Sequence, residues 1–300
     1  MRAQFPISTA RITAAALLLA ACLPGDTRPP PAVIHLTVEP SLAVTEGVTT
    51  VDGWHISFER LLVGIGDAKL GALGSGVGEI NDSVCTSYAN ANYERLFDVT
   101  VGGRQALSDI YGLGTCGVSF NVIVPWGRDP PLGAGVSAQD LAFMRDSTHN
   151  TAETNRARSI YVRGQATRDT TTKRFEWSFQ PWSVVRGCVN AGEPGFASDV
   201  VLTSGAVLEL PVVVHGEELF RERPSEDSPL RFDALAAADA DGDHMITLEE
   251  LGGVGPLTEV DAGVTSADGG APSIADLLYR GLVPRMMRLR DSGPCLGALR

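Results

Sequence analysis

Residues 173–182, KRFEWSFQPW, show the pattern that decides the fold. In an extended chain Phe175, Trp177 and Phe179 point to one side, and the residues between them point to the other. This two-residue period is typical of a strand with one face against an apolar core. Similar runs, rich in β-branched and aromatic residues, occur at residues 33–38, 54–63, 118–124, 159–167 and 206–214.

The strand-like runs are separated by Gly-rich and Pro-rich segments. The chain contains 33 Gly and 18 Pro, a composition that favours many turns. No alternation of strands with helices is visible, so a parallel α/β sheet is not expected. The pattern predicts a mainly β fold over residues 33–220: an antiparallel β-sandwich, or a barrel-like arrangement.

Two capping-box patterns predict helix starts. Ser137 is followed three residues later by Asp140, and Ser273 is followed three residues later by Asp276. In such a pair the Ser hydroxyl and the acidic side chain satisfy backbone N–H groups at the start of a helix.

The last part of the chain has helical composition. Residues 230–238 show helical spacing, and the second capping box opens a predicted helix over residues 277–283. Pro284 should end or kink this helix, and we expect it to resume at residues 286–289. The sequence therefore predicts a small helical subdomain over residues 221–300.

The charge of the chain excludes two classes of partner. The formal net charge is −12, from 24 basic and 36 acidic residues. Nucleic-acid binding requires a basic surface, and docking on anionic lipid requires a polybasic segment. Neither is expected here.

The N-terminus has the features of an export signal. Residues 12–21 form an apolar run that is too short to span a bilayer and is typical of a signal peptide. Residues 19–22, LAAC, resemble the bacterial lipobox, which implies removal of residues 1–21 and acylation of Cys22. Residues 22–32 then form a Pro-rich tether. Because Leu23, not Asp, follows the cysteine, the resemblance implies an outer-membrane lipoprotein, on the periplasmic face or the cell surface; an ordinary signal peptide is the alternative.

Four further cysteines remain after Cys22, an even number that predicts two disulfides in an oxidising compartment. Three pairings are possible, and we favour Cys85 with Cys116 and Cys188 with Cys295. The first pair closes a local loop, and the second ties the C-terminus to the body. A four-cysteine metal site is the alternative, although no Cys-x-x-Cys spacing is present.

Residues 239–250, DADGDHMITLEE, resemble an EF-hand calcium loop. Calcium is a hard cation that takes 6–8 oxygen ligands, which this loop draws from fixed positions within twelve residues. The resemblance implies calcium as the cofactor, bound by Asp239, Asp241, Asp243, the Met245 carbonyl, Thr247 and Glu250. A solvated acidic loop that caps a helix is the alternative.

Two features depart from the EF-hand pattern. His244 stands where the family has Gly in a left-handed turn, and Gly252 and Gly253 shorten the exiting helix. No second loop of this kind is visible in the sequence. We therefore expect binding at roughly 10⁻⁴–10⁻³ M, as in extracellular calcium modules, and a structural role for the ion.

The body also resembles exported sandwich proteins related to the copper-binding partner of methanobactin systems. The likeness lies in a strand at residues 54–70 followed by Tyr93, Phe97 and Asp98. The resemblance implies an exported β-sandwich, and no copper ligand is carried over from it.

Other candidate sites carry weaker signals. The run from His215 to Glu218 could offer metal ligands, but a surface turn after a strand is the better interpretation. The four tryptophans, Trp54, Trp126, Trp177 and Trp182, could form a carbohydrate platform, although tryptophan in strands usually lies in the core.

The sequence thus predicts an exported, lipid-anchored, calcium-binding protein. We find no catalytic motif such as a nucleophile elbow or a zinc-protease signature. Two alternatives stay open: a cell-surface adhesion or ligand-binding module with an unidentified protein or glycan partner, and an enzyme whose Asp, Glu and His residues are distant in sequence.

Overall fold

Strands make up 46% of the chain and helices 20% in the computed structural model, and one large mixed sheet dominates the fold. The predicted mainly β class with a small C-terminal helical region is therefore confirmed. The structure describes residues 29–71, 85–89, 91–146, 157–180, 183–190, 196–255, 272–290 and 292–299. The predicted signal peptide and Cys22 lie outside these ranges.

The sheet contains fourteen strands among the described residues. In chain order they are β1 (Ala32–Pro40), β2 (Val48–Thr49), β3 (His55–Gly71), β4 (Cys85–Ala89), β5 (Ala91–Asp98), β6 (Gln105–Val122), β7 (Ile160–Arg168), β8 (Thr171–Phe179), β9 (Ser183–Arg186), β10 (Asp199–Leu202), β11 (Val207–Val214), β12 (Met245–Ile246), β13 (Met287–Leu289) and β14 (Leu296–Leu299). The main path runs β12-β8-β7-β3-β6-β1-β11-β13.

The two longest strands, β3 and β6, change partners along their length. The first half of β3 pairs with β7, and its second half pairs with β6. The first half of β6 pairs with β1. These pairings are antiparallel, whereas β1 with β11 and β12 with β8 are parallel.

The buried faces of these strands contribute to a main apolar core, and a second, smaller cluster consists of Leu62, Leu96, Met144 and Tyr161. The centre of the main core is aromatic: Phe175 stacks on Trp177 at a centroid distance of 4.9 Å, as the alternation in β8 predicts. Phe220, just before the helical region of residues 221–300, and Phe232, within it, lie 5.4 and 6.4 Å from Phe175. Aromatic contacts therefore join the helical region to the sheet.

The helices are short: α1 (Leu42–Glu46), α2 (Ala138–Arg145), α3 (Asp233–Ala237), α4 (Leu248–Gly252) and α5 (Ile274–Asp276). Further turns are 3₁₀ helices at Val99–Val101, Gly216–Phe220 and Val283–Arg285, and a π-helix at Leu277–Leu282. Both predicted capping boxes are present, at the starts of α2 and α5. No helix among the described residues is long and apolar enough to cross a membrane.

The C-terminal region differs from the prediction at residues 286–289. A helical continuation was expected there, but Met287–Leu289 form β13 and pair with Val212–Val214 of β11. Pairing with an existing strand overrides local helical preference. Residues 221–300 thus contribute strands as well as helices, and residues 31–300 form one compact unit.

Two disulfides cross-link segments that are distant in the sequence. Cys85 is bonded to Cys116, and Cys188 to Cys295. This is the pairing that the sequence analysis favours. The second bond spans 107 residues, so it ties β14 and the end of the chain to the body.

Candidate metal centre

The loop over residues 239–250 begins just after α3, ends in the first turn of α4 and is attached to the sheet at its middle. Its β12 residues Met245 and Ile246 pair with Arg174 and Phe175 of β8. Ile246 is fully buried, and its carbonyl accepts a 2.9 Å hydrogen bond from the Trp177 indole. Ile246 therefore anchors the loop, with β8 as its partner strand.

Three carboxylates converge in the first half of this loop. Oxygens of Asp239, Asp241 and Asp243 all lie within 4.8 Å of one another. Backbone amides fix each of them: the amide of Gly242 donates to Asp239 at 2.9 Å, that of Asp243 to Asp241 at 3.1 Å, and that of Met245 to Asp243 at 2.7 Å. Such a group of hard oxygen donors suits calcium or magnesium rather than softer metals.

The second half of the loop contains the other three expected ligands, the Met245 carbonyl, Thr247 and Glu250. Thr247 caps α4, and its hydroxyl and backbone amide both donate to one oxygen of Glu250, at 2.9 and 2.8 Å. The other Glu250 oxygen accepts from the amide of Ala240 at 3.2 Å. Glu250 thus joins the two ends of the loop, although it is not part of the three-aspartate group.

The unusual histidine is accommodated by the backbone. His244 has φ of +67°, and Gly242 has φ of +77°. The chain therefore turns left-handed at both residues, and His244 adopts the conformation that the family pattern assigns to Gly. For a residue with a Cβ this conformation costs about 1–2 kcal/mol.

A lysine from β8 reaches the acidic group, and the sequence analysis missed it. The ammonium of Lys173 contacts Oδ2 of Asp239, whose side chain is fully shielded from solvent. The hydrogen bond from Lys173, with help from the amides of Gly242 and His244, holds the pKa of Asp239 below its usual range, against the opposing effect of burial. The alternation of β8 indicates this position. Lys173 lies two and four residues before Phe175 and Trp177, so its side chain is on the same, apolar face of the strand.

The run from His215 to Glu218 does not form a metal site. His215 Nδ1 lies 2.8 Å from Glu217, which also accepts from the Ser41 hydroxyl at 2.6 Å. Burial favours the neutral form of Glu217, yet the hydrogen bonds from His215 and Ser41 hold its pKa below its usual range. Glu218 points instead into a cluster of guanidinium groups.

Glu218 is the centre of a buried ion cluster that no sequence motif indicates. Its side chain is 1% exposed. Arg221 approaches it at 2.8 Å, Arg288 at 2.6 Å and Arg285 at 3.5 Å. These arginines come from the turn after β11, from β13 and from the turn before it, so the cluster joins three segments.

Within the part of the chain that the structure describes, the other candidates from the sequence lie in different environments. Trp54 and Trp177 are core residues and Trp126 is exposed, while Trp182 lies outside the described residues. An apolar pocket between the turn after β11, α3 and the π-helix has Leu219, Leu235, Leu277 and Leu278 in its lining, with Glu222 as its single carboxylate. This lining offers no pair of acidic groups for acid–base catalysis.

Comparisons with protein-family models, with curated proteins and with solved structures find no match to this chain. The assignment of a function therefore rests on the residues and the geometry described above.

Proposed function

We propose that this chain is an exported, lipid-anchored protein whose loop over residues 239–250 binds one calcium ion. The observation that carries the proposal is the convergence of three aspartates within 4.8 Å on a loop that is anchored to the sheet. The ion has a structural role, holding the C-terminal helical region on the sheet.

The chemistry of the loop supports a divalent cation. Like charges at such distances repel one another, and Asp241 and Asp243 face solvent with no basic partner among the described residues. A calcium ion relieves this repulsion and takes further oxygens from Met245, Thr247 and Glu250. Since only the folded loop gathers these groups, the free energy of binding adds to the stability of the folded state.

Export and the lipid anchor rest on different features. Two disulfides are consistent with an oxidising compartment, and the lipobox at Cys22 supplies the anchor. Replacing Cys22 by Ser should release the protein from membranes, and mass spectrometry of the wild-type N-terminus should find an acylated cysteine.

Calcium titration of the chain without residues 1–21 and with Cys22→Ser tests the metal site. We expect one-site binding at roughly 10⁻⁴–10⁻³ M by calorimetry. Calcium at about ten times Kd should add about 1.4 kcal/mol of stability. Asp241→Asn should weaken binding, because the amide keeps one acceptor oxygen but loses the charge.

The matched control is Asp169→Asn, an exposed aspartate in the β7–β8 turn, which should leave calcium binding unchanged. If no heat and no stabilisation appear up to about 10 mM calcium, well above the range of weak extracellular modules, the loop is an acidic helix cap and the proposal is wrong.

A further inference from the structure

We propose that Lys173 is an internal cation that competes with calcium for Asp239 and thereby sets the affinity of the loop. This inference rests on the proposed function. It starts from a contact across 66 residues of sequence, in which a lysine of β8 is seated on the first aspartate of the loop.

Most of the hydrogen-bond acceptor positions of the Asp239 carboxylate are occupied. One oxygen accepts from the amide of Gly242, and the other accepts from the amide of His244 and from the Lys173 ammonium. A carboxylate has about four acceptor positions, so three are occupied. The two amides are held by the turn of the loop. Only Lys173 can leave by rotating its own side chain.

The chemistry of lysine suits a displaceable ligand. Of the 24 basic residues only Lys69 and Lys173 are lysines. Arginine would bind the carboxylate through a planar, bidentate pair of hydrogen bonds, whereas lysine carries a compact charge on a flexible side chain. The Lys173 side chain is 15% exposed, which leaves it a route to solvent. A divalent ion at Asp239 repels the Lys173 ammonium. Calcium must therefore either displace this ammonium or bind with a lower affinity because of the repulsion.

In the calcium-free protein Lys173 has a second consequence. The ammonium neutralises the shielded Asp239 and pins the start of the loop to β8, next to the backbone pairing of Met245 with Arg174. This ion pair therefore contributes to the attachment of the loop in the absence of metal. Calcium, which also takes oxygens of Met245, Thr247 and Glu250, replaces the ion pair with a stronger attachment.

The test compares Lys173→Met with Lys69→Met, the matched control at the other, exposed lysine. Calorimetry should find calcium binding about tenfold tighter in Lys173→Met, the effect of removing one adjacent unit charge. Lys69→Met should bind as the wild type does.

A second measurement needs no variant. Acetic anhydride labelling read by peptide mass spectrometry should modify Lys173 more slowly than Lys69 without calcium. Saturating calcium should raise the labelling of Lys173 several-fold and leave that of Lys69 unchanged. Magnesium-free and calcium-free samples at equal ionic strength provide the baseline.

The outcomes separate the two proposals. If the wild type binds calcium but Lys173→Met binds it equally and the labelling of Lys173 does not rise, the inference is wrong and the calcium site stands. If neither protein binds calcium, both proposals are wrong. If only Lys173→Met binds calcium, Lys173 does compete with the ion, as inferred, but the proposed calcium-binding function of the wild type is wrong.

Discussion

Replacing Glu218 by Gln tests whether the buried ion cluster holds β13 and the turn before it on the body. The side chain is 1% exposed and receives close contacts from Arg221 and Arg288 at 2.8 and 2.6 Å, with Arg285 at 3.5 Å. Glutamine fits the same space, but it removes the negative charge and turns an amide donor toward guanidinium donors.

The expected cost follows from the charges that remain. Arg288 keeps its ion pair with Glu226 at 2.9 Å. Arg221 and Arg285, at 17% and 14% exposure, lose their carboxylate partner, and water cannot fully solvate them after the change. Removing one partner of a buried ion pair typically destabilises a protein by about 3–5 kcal/mol. For a domain of this size each kcal/mol lowers Tm by about 2–4 °C, which gives a fall of about 6–20 °C.

The assay is thermal unfolding followed by circular dichroism, with the disulfides intact. Glu209→Gln is the control, because Glu209 is 65% exposed and its partner Arg104 is 47% exposed. An exposed pair of this kind contributes about 0–1 kcal/mol. If both variants melt within 3 °C of the wild type, roughly the effect of 1 kcal/mol, the Glu218 cluster does not stabilise the fold.

Two further predictions concern the sheet. A Cβ on Gly64 would lie 2.0 Å from the Ile123 carbonyl oxygen. Gly64→Ala should therefore lower the free energy of unfolding, measured in urea, by about 3 kcal/mol. The control is Gly71→Ala, which should change this free energy little because no atom lies within 4 Å of the added Cβ. Burial and then the hydrogen bond to Glu176 raise the pKa of Tyr161 from 10.0 to about 12. Its neutral form is favoured by folding, so stability present below pH 10 should be lost as the pH rises toward 12. Tyr161→Phe should lose less stability over that interval in alkaline titrations, and an equal loss in both proteins would contradict this assignment.

Local features of the fold were predictable from the sequence. The alternation around Trp177 places it in the core, and the capping boxes at Ser137 and Ser273 start helices where expected. The aspartates of the acidic loop fall together because they are two residues apart. In each case the residues in contact are only a few positions apart in the sequence. Their spacing along the chain is therefore enough to predict how their side chains are placed.

The tertiary structure decided what depends on contacts between distant segments. Lys173 meets Asp239 across 66 residues, and Arg288 meets Glu218 across 70. Residues 287–289 form a strand and not a helix, because β11 offers them unpaired backbone groups. Composition and periodicity do not show which distant segments of the chain come into contact. Such contacts form only when the whole chain has packed, because burial and strand pairing depend on the complete fold. The sequence by itself therefore determined the acidic loop and the convergence of its three aspartates, while the packing of β8 against that loop decided that the Lys173 ammonium contacts the first of them.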